Sequence, residues 1–301
     1  MELPKISIIT PSFNQGKFLE ETILSVLNQN YPNLEYIIID GASTDESVEV
    51  IKRYADRLAY WISEADRGQT SAINKGLKRA TGEIVSYINS DDLYLPGCLH
   101  TVGHYFAKHP DCRWLCGTVL TFGLQTEAPG VMRVPPTDNI TPRLLINTFL
   151  PTPAMFWRRD AFEEFGLFDE EMHYSFDLDH WMRMLVGGVK YARLERPLTG
   201  FRLHPTSKTV SARQGFVNEE KRVREKFLPL MTPRERNWLL TKERQRDAVE
   251  RLMDADSRWR SGDKAGGVAT GLEAFRRSPA RVAFYCAKRL QRLITQDRVA
   301  S

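Results

Sequence analysis

The sequence predicts an α/β sandwich with a mostly parallel central sheet and a C-terminal helical region, and three observations carry that prediction. Short β-rich apolar runs alternate with stretches of helical periodicity over the first ~95 residues. Each of those runs ends in a cluster of polar residues. Beyond Gly215 the chain turns charged and helical, broken by Pro229, Pro233, Gly262, Gly266, Gly267 and Pro279.

Lys5 to Thr10 (KISIIT) is a β-rich run closed by Pro11, the pattern of a buried parallel strand rather than an alternating edge strand. A loop is expected from Pro11 to Lys17. Leu19, Ile23, Val26 and Leu27 then fall at helical spacing, and Asn30-Tyr31-Pro32 supplies the stop. Leu34 to Ile39 is the second strand, ended by Asp40-Gly41, after which Ser43 or Thr44 is expected to cap a helix whose inner face is Val48, Ile51 and Ala55. Ala59 to Ile62 is a third strand and Glu64 to Gly68 a polar loop. Ala72, Ile73, Gly76, Leu77 and Ala80 mark a helix ending at Gly82, and Ile84 to Ile88 is a fourth strand. Alternation of this kind implies right-handed crossovers and a sheet covered on both faces. From Cys98 to about Arg213 the pattern is mixed, with strand-like stretches at Trp114 to Thr121, Ala154 to Trp157 and Tyr191 to Leu203, and a helix from about Asp179 to Val186.

Bulk properties exclude several classes. The 301 residues can bury a core without staples. Hydrophobic residues at 42% and charged residues at 27% argue against disorder. A net charge of +4, from 42 basic and 38 acidic residues, is too small to predict a nucleic-acid partner. The four cysteines are irregularly spaced and read as reduced thiols. The N-terminus lacks the basic region and longer apolar segment of a secretion signal, so a cytoplasmic protein is expected. No run approaches the ~18 to 20 apolar residues of a spanning helix, so any membrane would be met at its surface.

In open α/β sheets, ligands bind beyond the carboxyl ends of the strands. Four such ends are polar here: Thr10-Pro11-Ser12-Phe13-Asn14, Asp40 to Asp45 (DGASTD), Glu64 to Gly68 (EADRG) and Asn89-Ser90-Asp91-Asp92. One aspartate after a strand is usually a cap or turn former, the reading that suits Asp45 alone. Four polar ends in register point to a shared ligand.

The ordered set TPSFN, DGASTD, SEADRGQTSAINKG and NSDD resembles family 2 glycosyltransferases, inverting enzymes of GT-A fold, over roughly residues 5 to 205. The resemblance implies a catalytic domain at 1–214, with a nucleotide-sugar half at about 1–97 and an acceptor half at about 98–214, and a helical extension at 215–301. It implies nucleotide contacts from Thr10, Pro11, Ser12, Asn14, Asp40, Asp66 and Lys75. Asn89 and Asp91 are expected to face the donor sugar, and Asp92 to hold a divalent cation, Mn²⁺ or Mg²⁺. Chemistry agrees, since carboxylates at a diphosphate site repel it unless a hard cation lies between. This motif carries Asn89 where the family commonly has Asp.

Inversion needs a base to take the acceptor proton. Tyr174 to Arg183 (YSFDLDHWMR) resembles the family's acidic segment before a Trp-x-Arg helix, which puts the base at Asp177, with Phe176 in place of the usual Glu. Asp177 also reads as the helix N-cap, and Asp179 or His180 competes for the base role. Phe201-Arg202-Leu203-His204 resembles a late basic element, implying Arg202 at the phosphate and His204 at the phosphate or metal. Pro151 to Arg159 resembles a segment bordering the acceptor.

Two other signals fail. His100 and His104 sit four apart, but Thr101 stands where a zinc protease needs glutamate, and no GxGxxG or Walker loop follows the first strand. A sugar-1-phosphate nucleotidyltransferase should show a Gly-rich triphosphate loop that Pro11 to Gly16 lacks. A catalytically silent carbohydrate binder should have its acids broken. From Gly271 to Ser301 seven basic residues interleave with apolar ones, either a peripheral membrane contact or a basic helix packed on the body. The expected donor is a UDP-sugar, with GDP- and dTDP-sugars close behind. The expected acceptor is a glycan or its lipid-linked precursor, in surface polysaccharide or glycolipid synthesis at the inner face of the cell membrane. Oligomeric state is open.

Overall fold

The computed structural model describes residues 2–123, 130–138, 140–145 and 150–287. In chain order the elements are β1 (Ile6–Ser12), α1 (Gly16–Leu27), β2 (Leu34–Asp40), α2 (Ser47–Arg53), β3 (Tyr60–Ser63), α3 (Gln69–Arg79), β4 (Ile84–Tyr87), β5 (Leu93–Tyr94) and α4 (Cys98–Lys108). They continue with β6 (Trp114–Gly123), β7 (Gly130–Met132), α5 (Ile140–Leu144), β8 (Met155–Arg158), α6 (Asp160–Phe165), α7 (Phe176–Val186), β9 (Ala192–Leu203), α8 (Lys208–Ser211), α9 (Arg213–Phe227), α10 (Pro233–Arg260) and α11 (Lys264–Arg277). Contacts divide the chain into two compact units, Met1–Leu144 with Thr148–Leu230, and Leu145–Asn147 with Met231–Ser301. The helical tail as a unit of its own therefore starts later than residue 215, and α9 belongs to the first unit.

The first unit is built on one sheet in the order β3-β2-β1-β4-β8-β6-β9-β5, with β7 on β6. Its parallel part is β3-β2-β1-β4. Past β4 the sheet is mixed: β4/β8, β8/β6, β6/β7 and β5/β9 are antiparallel and β6/β9 parallel. The parallel expectation holds where βαβ crossovers link the strands and ends at β8, which runs antiparallel to both β4 and β6.

Isoleucine-rich β1 and β2 are buried along almost their whole length, as strands covered on both faces must be. On one face Ile6, Ile8, Ile38 and Ile84 meet Leu19, Ile23 and Val26 of α1 and Leu99, Val102 and Phe106 of α4. A helix at 98–108 was not anticipated. On the other face α3 lies close to β1, and Gly76 permits the approach, because a Cβ there would collide with Ile9 Cγ2. Helix α2 begins three residues after the expected Thr44 cap and buries Val50 and Ile51. Helix α7 begins about one turn before the expected start at Asp179.

Register decides the site. Ser12 pairs with Asp40 and Asp40 with Ser63, so the ends of β1, β2 and β3 align on one edge. Beside β1, Tyr87 pairs with Ile9, and the chain runs on through Ile88 into Asn89 at that edge. The second unit pairs α10 with α11 over a small core of Ala248, Ala274 and Val282. Thr232 caps α10 in a reciprocal capping box with Glu235.

Candidate active site

A cavity of about 480 Å³ opens at the carboxyl edge of the parallel strands, a size suited to a small-molecule ligand. Ser12, Phe13, Gly41, Asp66, Asn89 and Asp91 line its strand-end side, and Phe201 and Thr206 to Thr209 line another wall. Ser12 Oγ is buried in this lining without a hydrogen-bond partner among the described residues. Phe13 is 60% exposed, an open aromatic face of the kind on which bases stack.

Of the residues expected at the site, Pro11, Ser12, Asp66, Asn89 and Asp91 line the cavity. Asp66 accepts the Gly68 amide at 2.7 Å, holding the left-handed Gly68 that begins α3. Thr10 is turned into the core, paired with the Tyr36 hydroxyl at 3.0 Å. Asn14, at φ 51, ties two loops together through Ser43 Oγ and the Thr44 amide, each at 2.8 Å. Asp40 is fully buried, accepting from the Ser43 amide, the Ser43 hydroxyl and the Ser63 hydroxyl at 2.9, 2.6 and 2.7 Å. It shapes the DGASTD loop from beneath. Asp45 accepts from the Gly16 and Ser47 amides, as a cap and turn former does. Lys75 pairs with Glu64 at 2.9 Å.

The acidic turn divides its work. Asp91 lines the cavity and meets His204 Nε2 at 2.9 Å, while His204 Nδ1 meets Thr206 Oγ1 at 2.9 Å. Asp92 lies beneath, fully buried. Its Oδ1 accepts the Arg202 amide at 2.9 Å and its Oδ2 the Asn89 side-chain amide at 3.3 Å. Burial and the adjacent Asp91 charge push the Asp92 carboxyl well above the usual carboxylate range. An Asp at position 89 would lose that donor and face Asp92 with like charge, which gives the Asn its physical reason. The Arg202 guanidinium donates to Asp91 O at 2.9 Å and to Glu21 at 2.5 Å, and lies over the Phe18 and Phe122 rings. It does not line the cavity.

Asp177 sits in the first turn of α7, two residues after the N-cap Ser175, so it is not the cap. Thr152 Oγ1 donates to its Oδ2 at 2.9 Å and the Leu178 amide to its Oδ1 at 2.8 Å. Burial raises its carboxyl to about 6. It does not line the cavity, but its charge acts on Lys208, which does. Asp179 is fully buried and paired with Arg183 at 2.9 Å and Lys226 at 2.6 Å. His180 is fully buried beside Phe162, its ring held neutral by burial and both nitrogens without partners among the described residues. Both side chains are closed off from the surface.

Three further residues were not singled out from sequence. Glu219, from α9, accepts the amides of His173, Tyr174 and Ser175 at 2.7, 2.8 and 2.7 Å, satisfying orphan donors where α7 begins. Gln69 donates to Asn89 Oδ1 at 2.6 Å. Lys208 donates to Gln69 Oε1 at 2.9 Å and to His173 O at 3.1 Å. Gln69 was visible inside the GQTS stretch. Glu219 carried no signal, because nothing in a charged helix tells which carboxylate turns inward, and Lys208 stands alone in the polar stretch after His204 with no pattern to mark it.

The Asp91–His204 pair offers hard oxygen and imidazole nitrogen, a donor set suited to Mn²⁺. No group of three or more His, Cys, Asp or Glu that could hold a metal exists among the described residues. An ion bound there would draw its remaining ligands from a phosphate-bearing partner and water, as Mg²⁺ and Mn²⁺ sites commonly do.

Residues 7–166 match the family described as Glycosyl transferase family 2. A GalNAc(5)-diNAcBac-PP-undecaprenol beta-1,3-glucosyltransferase of Campylobacter jejuni is 36% identical over 104 residues, 33% of this chain and 34% of that one. The chain spans 59% of the length of an uncharacterized glycosyltransferase of Rickettsia typhi, with 28% identity over 191 residues and 60% of its own length. S. aureus TarS 1-349 in complex with UDP-GlcNAc superposes with a TM-score of 0.58 at 17% identity, covering 91% of this chain and 92% of TarS 1-349. The mannosyltransferase PcManGT of Pyrobaculum calidifontis, in complex with GDP-Man and Mn²⁺, superposes with a TM-score of 0.61 at 19% identity, covering 97% and 81%.

Proposed function

The chain belongs to glycosyl transferase family 2, with a GT-A type fold, and on that premise we propose that it moves a sugar from a nucleoside-diphosphate sugar to a glycan hydroxyl with inversion. The observation that carries the reading is the convergence of Ser12, Asp66, Asn89 and Asp91 from the ends of β1, β3 and β4 on one cavity that Lys208 also lines. The Campylobacter relative acts on an undecaprenol-linked glycan, which supports a lipid-linked acceptor in surface polysaccharide or glycolipid synthesis. The family match favours transfer over nucleotidyl transfer or silent carbohydrate binding.

In this reading Phe13 stacks on the base and Ser12 and Asp66 take polar contacts of the nucleoside. Asn89 and Asp91 face the donor. Asp91 and His204 would hold a divalent cation, with Asp92 sustaining the turn from beneath, and such an ion would supply neutralising charge for the departing diphosphate. The acceptor approaches from the Asp177 side. Its oxygen bonds to the anomeric carbon while its proton passes to the Asp177 carboxylate, and the anomeric carbon–oxygen bond to phosphate breaks with the electron pair leaving on the nucleoside diphosphate. Inversion follows from attack opposite the leaving group. The Thr152 hydroxyl, held on Oδ2, fixes that carboxylate without neutralising it.

UDP-sugars are the first donors to test and GDP-sugars the second. The test is nucleoside-diphosphate release from UDP-, GDP- and dTDP-sugars with an undecaprenol-linked acceptor, followed by NMR of the product anomer. Release dependent on Mn²⁺ or Mg²⁺, with an inverted product, is expected; a retained anomer contradicts the mechanism.

Among the described residues no helix is long and apolar enough to cross a membrane. Val268, Leu272 and Phe275 on α11 are each about half exposed, near Arg276 and Arg277, which supports peripheral contact with an anionic membrane through 271–301. Lys288, Arg289, Arg292 and Arg298 of that stretch lie outside the described residues. Sedimentation with anionic vesicles that is lost on truncation after residue 270 checks this contact.

A further inference from the structure

Cations near the cavity differ in whether their charge is already met. Lys75 is matched by Glu64, and Arg202 by Glu21. Lys208 is the single lysine or arginine among the described residues lining the cavity, and its Nζ donates to two neutral oxygens, Gln69 Oε1 and His173 O. Among the described residues no carboxylate lies within ion-pair distance of it. Desolvation lowers its pKa, opposed by the more distant charges of Glu219 and Asp177. Lys208 is exposed overall, so its ammonium, unmatched by any carboxylate, is open on the cavity to an entering anion.

The contacts of Lys208 also show how it is aimed. Lys208 leads to Gln69, Gln69 Nε2 donates to Asn89 Oδ1, and Asn89 Nδ2 donates to Asp92 Oδ2, at 2.9, 2.6 and 3.3 Å. This chain of side chains ties the wall at Thr206 to Thr209 to the end of β4. It holds the ammonium on the same cavity that Asp91 lines. The second contact, the His173 carbonyl, belongs to the His173–Tyr174 peptide, whose amide donates to Glu219 at 2.8 Å.

We propose that Lys208 is the residue that grips the diphosphate of the donor, exchanging its neutral partners Gln69 and His173 for a charged phosphate oxygen. The assignment rests on the reading of the cavity as a donor site and moves the phosphate role from Arg202 to Lys208. Asp66 and Asp91 repel a diphosphate, and Lys208 is positioned to offset them together with the bound cation. Because His173 begins the segment that leads into α7 and Asp177, donor entry also releases the Lys208 contact to that segment and leaves its three Glu219 bonds in place.

Calorimetric titration of UDP, GDP, uridine and guanosine in Mn²⁺ buffer into wild type, Lys208→Met and Lys208→Arg tests this. A charge-assisted contact predicts that Lys208→Met weakens the preferred diphosphate by about tenfold or more and leaves the matching nucleoside unchanged, with Lys208→Arg recovering most of the loss. Equal diphosphate affinity in Lys208→Met overturns the assignment, as does a parallel loss of nucleoside and diphosphate. Failure of the wild type to bind UDP, GDP or, titrated in the same way, dTDP overturns the donor-site reading, and this proposal with it.

Discussion

The two sides of the cavity are held by different means. On the strand-end side, Ser12, Gly41 and Asp66 follow strands whose register is locked by a buried parallel sheet, and Asp40 and Asp92 brace the turns from below with every oxygen engaged. The other side, Thr206 to Thr209 with the Glu219-braced segment 173–175, is fixed mainly by side-chain hydrogen bonds to neighbouring elements. Sheet register places groups without adjustable parts. Side-chain contacts place them in a way that a ligand can exchange, and so the first side suits recognition and the second suits steps that change during a reaction.

The comparison breaks most easily at Asp177. Asp177→Asn is expected to lower kcat by about a thousandfold, inside the range for general-base loss, with donor affinity unchanged by calorimetry. If donor binding falls with it, the two sides are not separable. In the wild type, kcat should rise with pH through about 6, where Asp177 ionises. Its folded pKa lies above its ordinary value, so its contribution to stability is fullest at low pH and is lost as pH rises through about 6. Asp177→Asn should therefore melt higher than the wild type at pH 7.5, measured by calorimetry.

On the sheet side, Gly76→Ala is expected to cost roughly 1–3 kcal/mol by overpacking against Ile9, read as a lowered denaturation midpoint. A variant as stable as wild type would mean that the α3–β1 approach does not fix the strand ends. Glu219→Gln, on the exchangeable side, should lower kcat about tenfold, equivalent to about 1.4 kcal/mol, while the donor Kd stays within about twofold. A fall in donor affinity instead would place Glu219 in donor binding. Smallest is Thr232→Ala, which removes the α10 capping box and should cost about 1 kcal/mol. It should leave nucleotide affinity untouched, since Thr232 belongs to the other unit.

The two sides also differ in how far the sequence revealed them. Isoleucine runs in β1 and β2 and the polar clusters after them were readable because buried parallel strands impose continuous apolarity and their ends lie on one edge. Which polar residue faces the ligand was not readable, since Asp40 and Asp92 point beneath the edge while Asp66 and Asp91 point into the cavity. Helix α9 was read with the tail because Arg213 to Phe227 is mostly charged, and only the fold shows Glu219 and Lys226 turned inward. Arg202 resembles a phosphate ligand in sequence, whereas the fold pairs its guanidinium with Glu21, which no spacing indicates.

A thermal-shift panel of UDP, GDP and dTDP, with and without Mn²⁺, on the wild type and Asp91→Asn, tests the donor-site claim most directly. Binding raises the midpoint by mass action, so the account predicts that one nucleoside diphosphate stabilises the wild type, more so with Mn²⁺, and that Asp91→Asn loses the Mn²⁺-dependent part. No stabilisation by any of the three, in the presence of Mn²⁺, would contradict it.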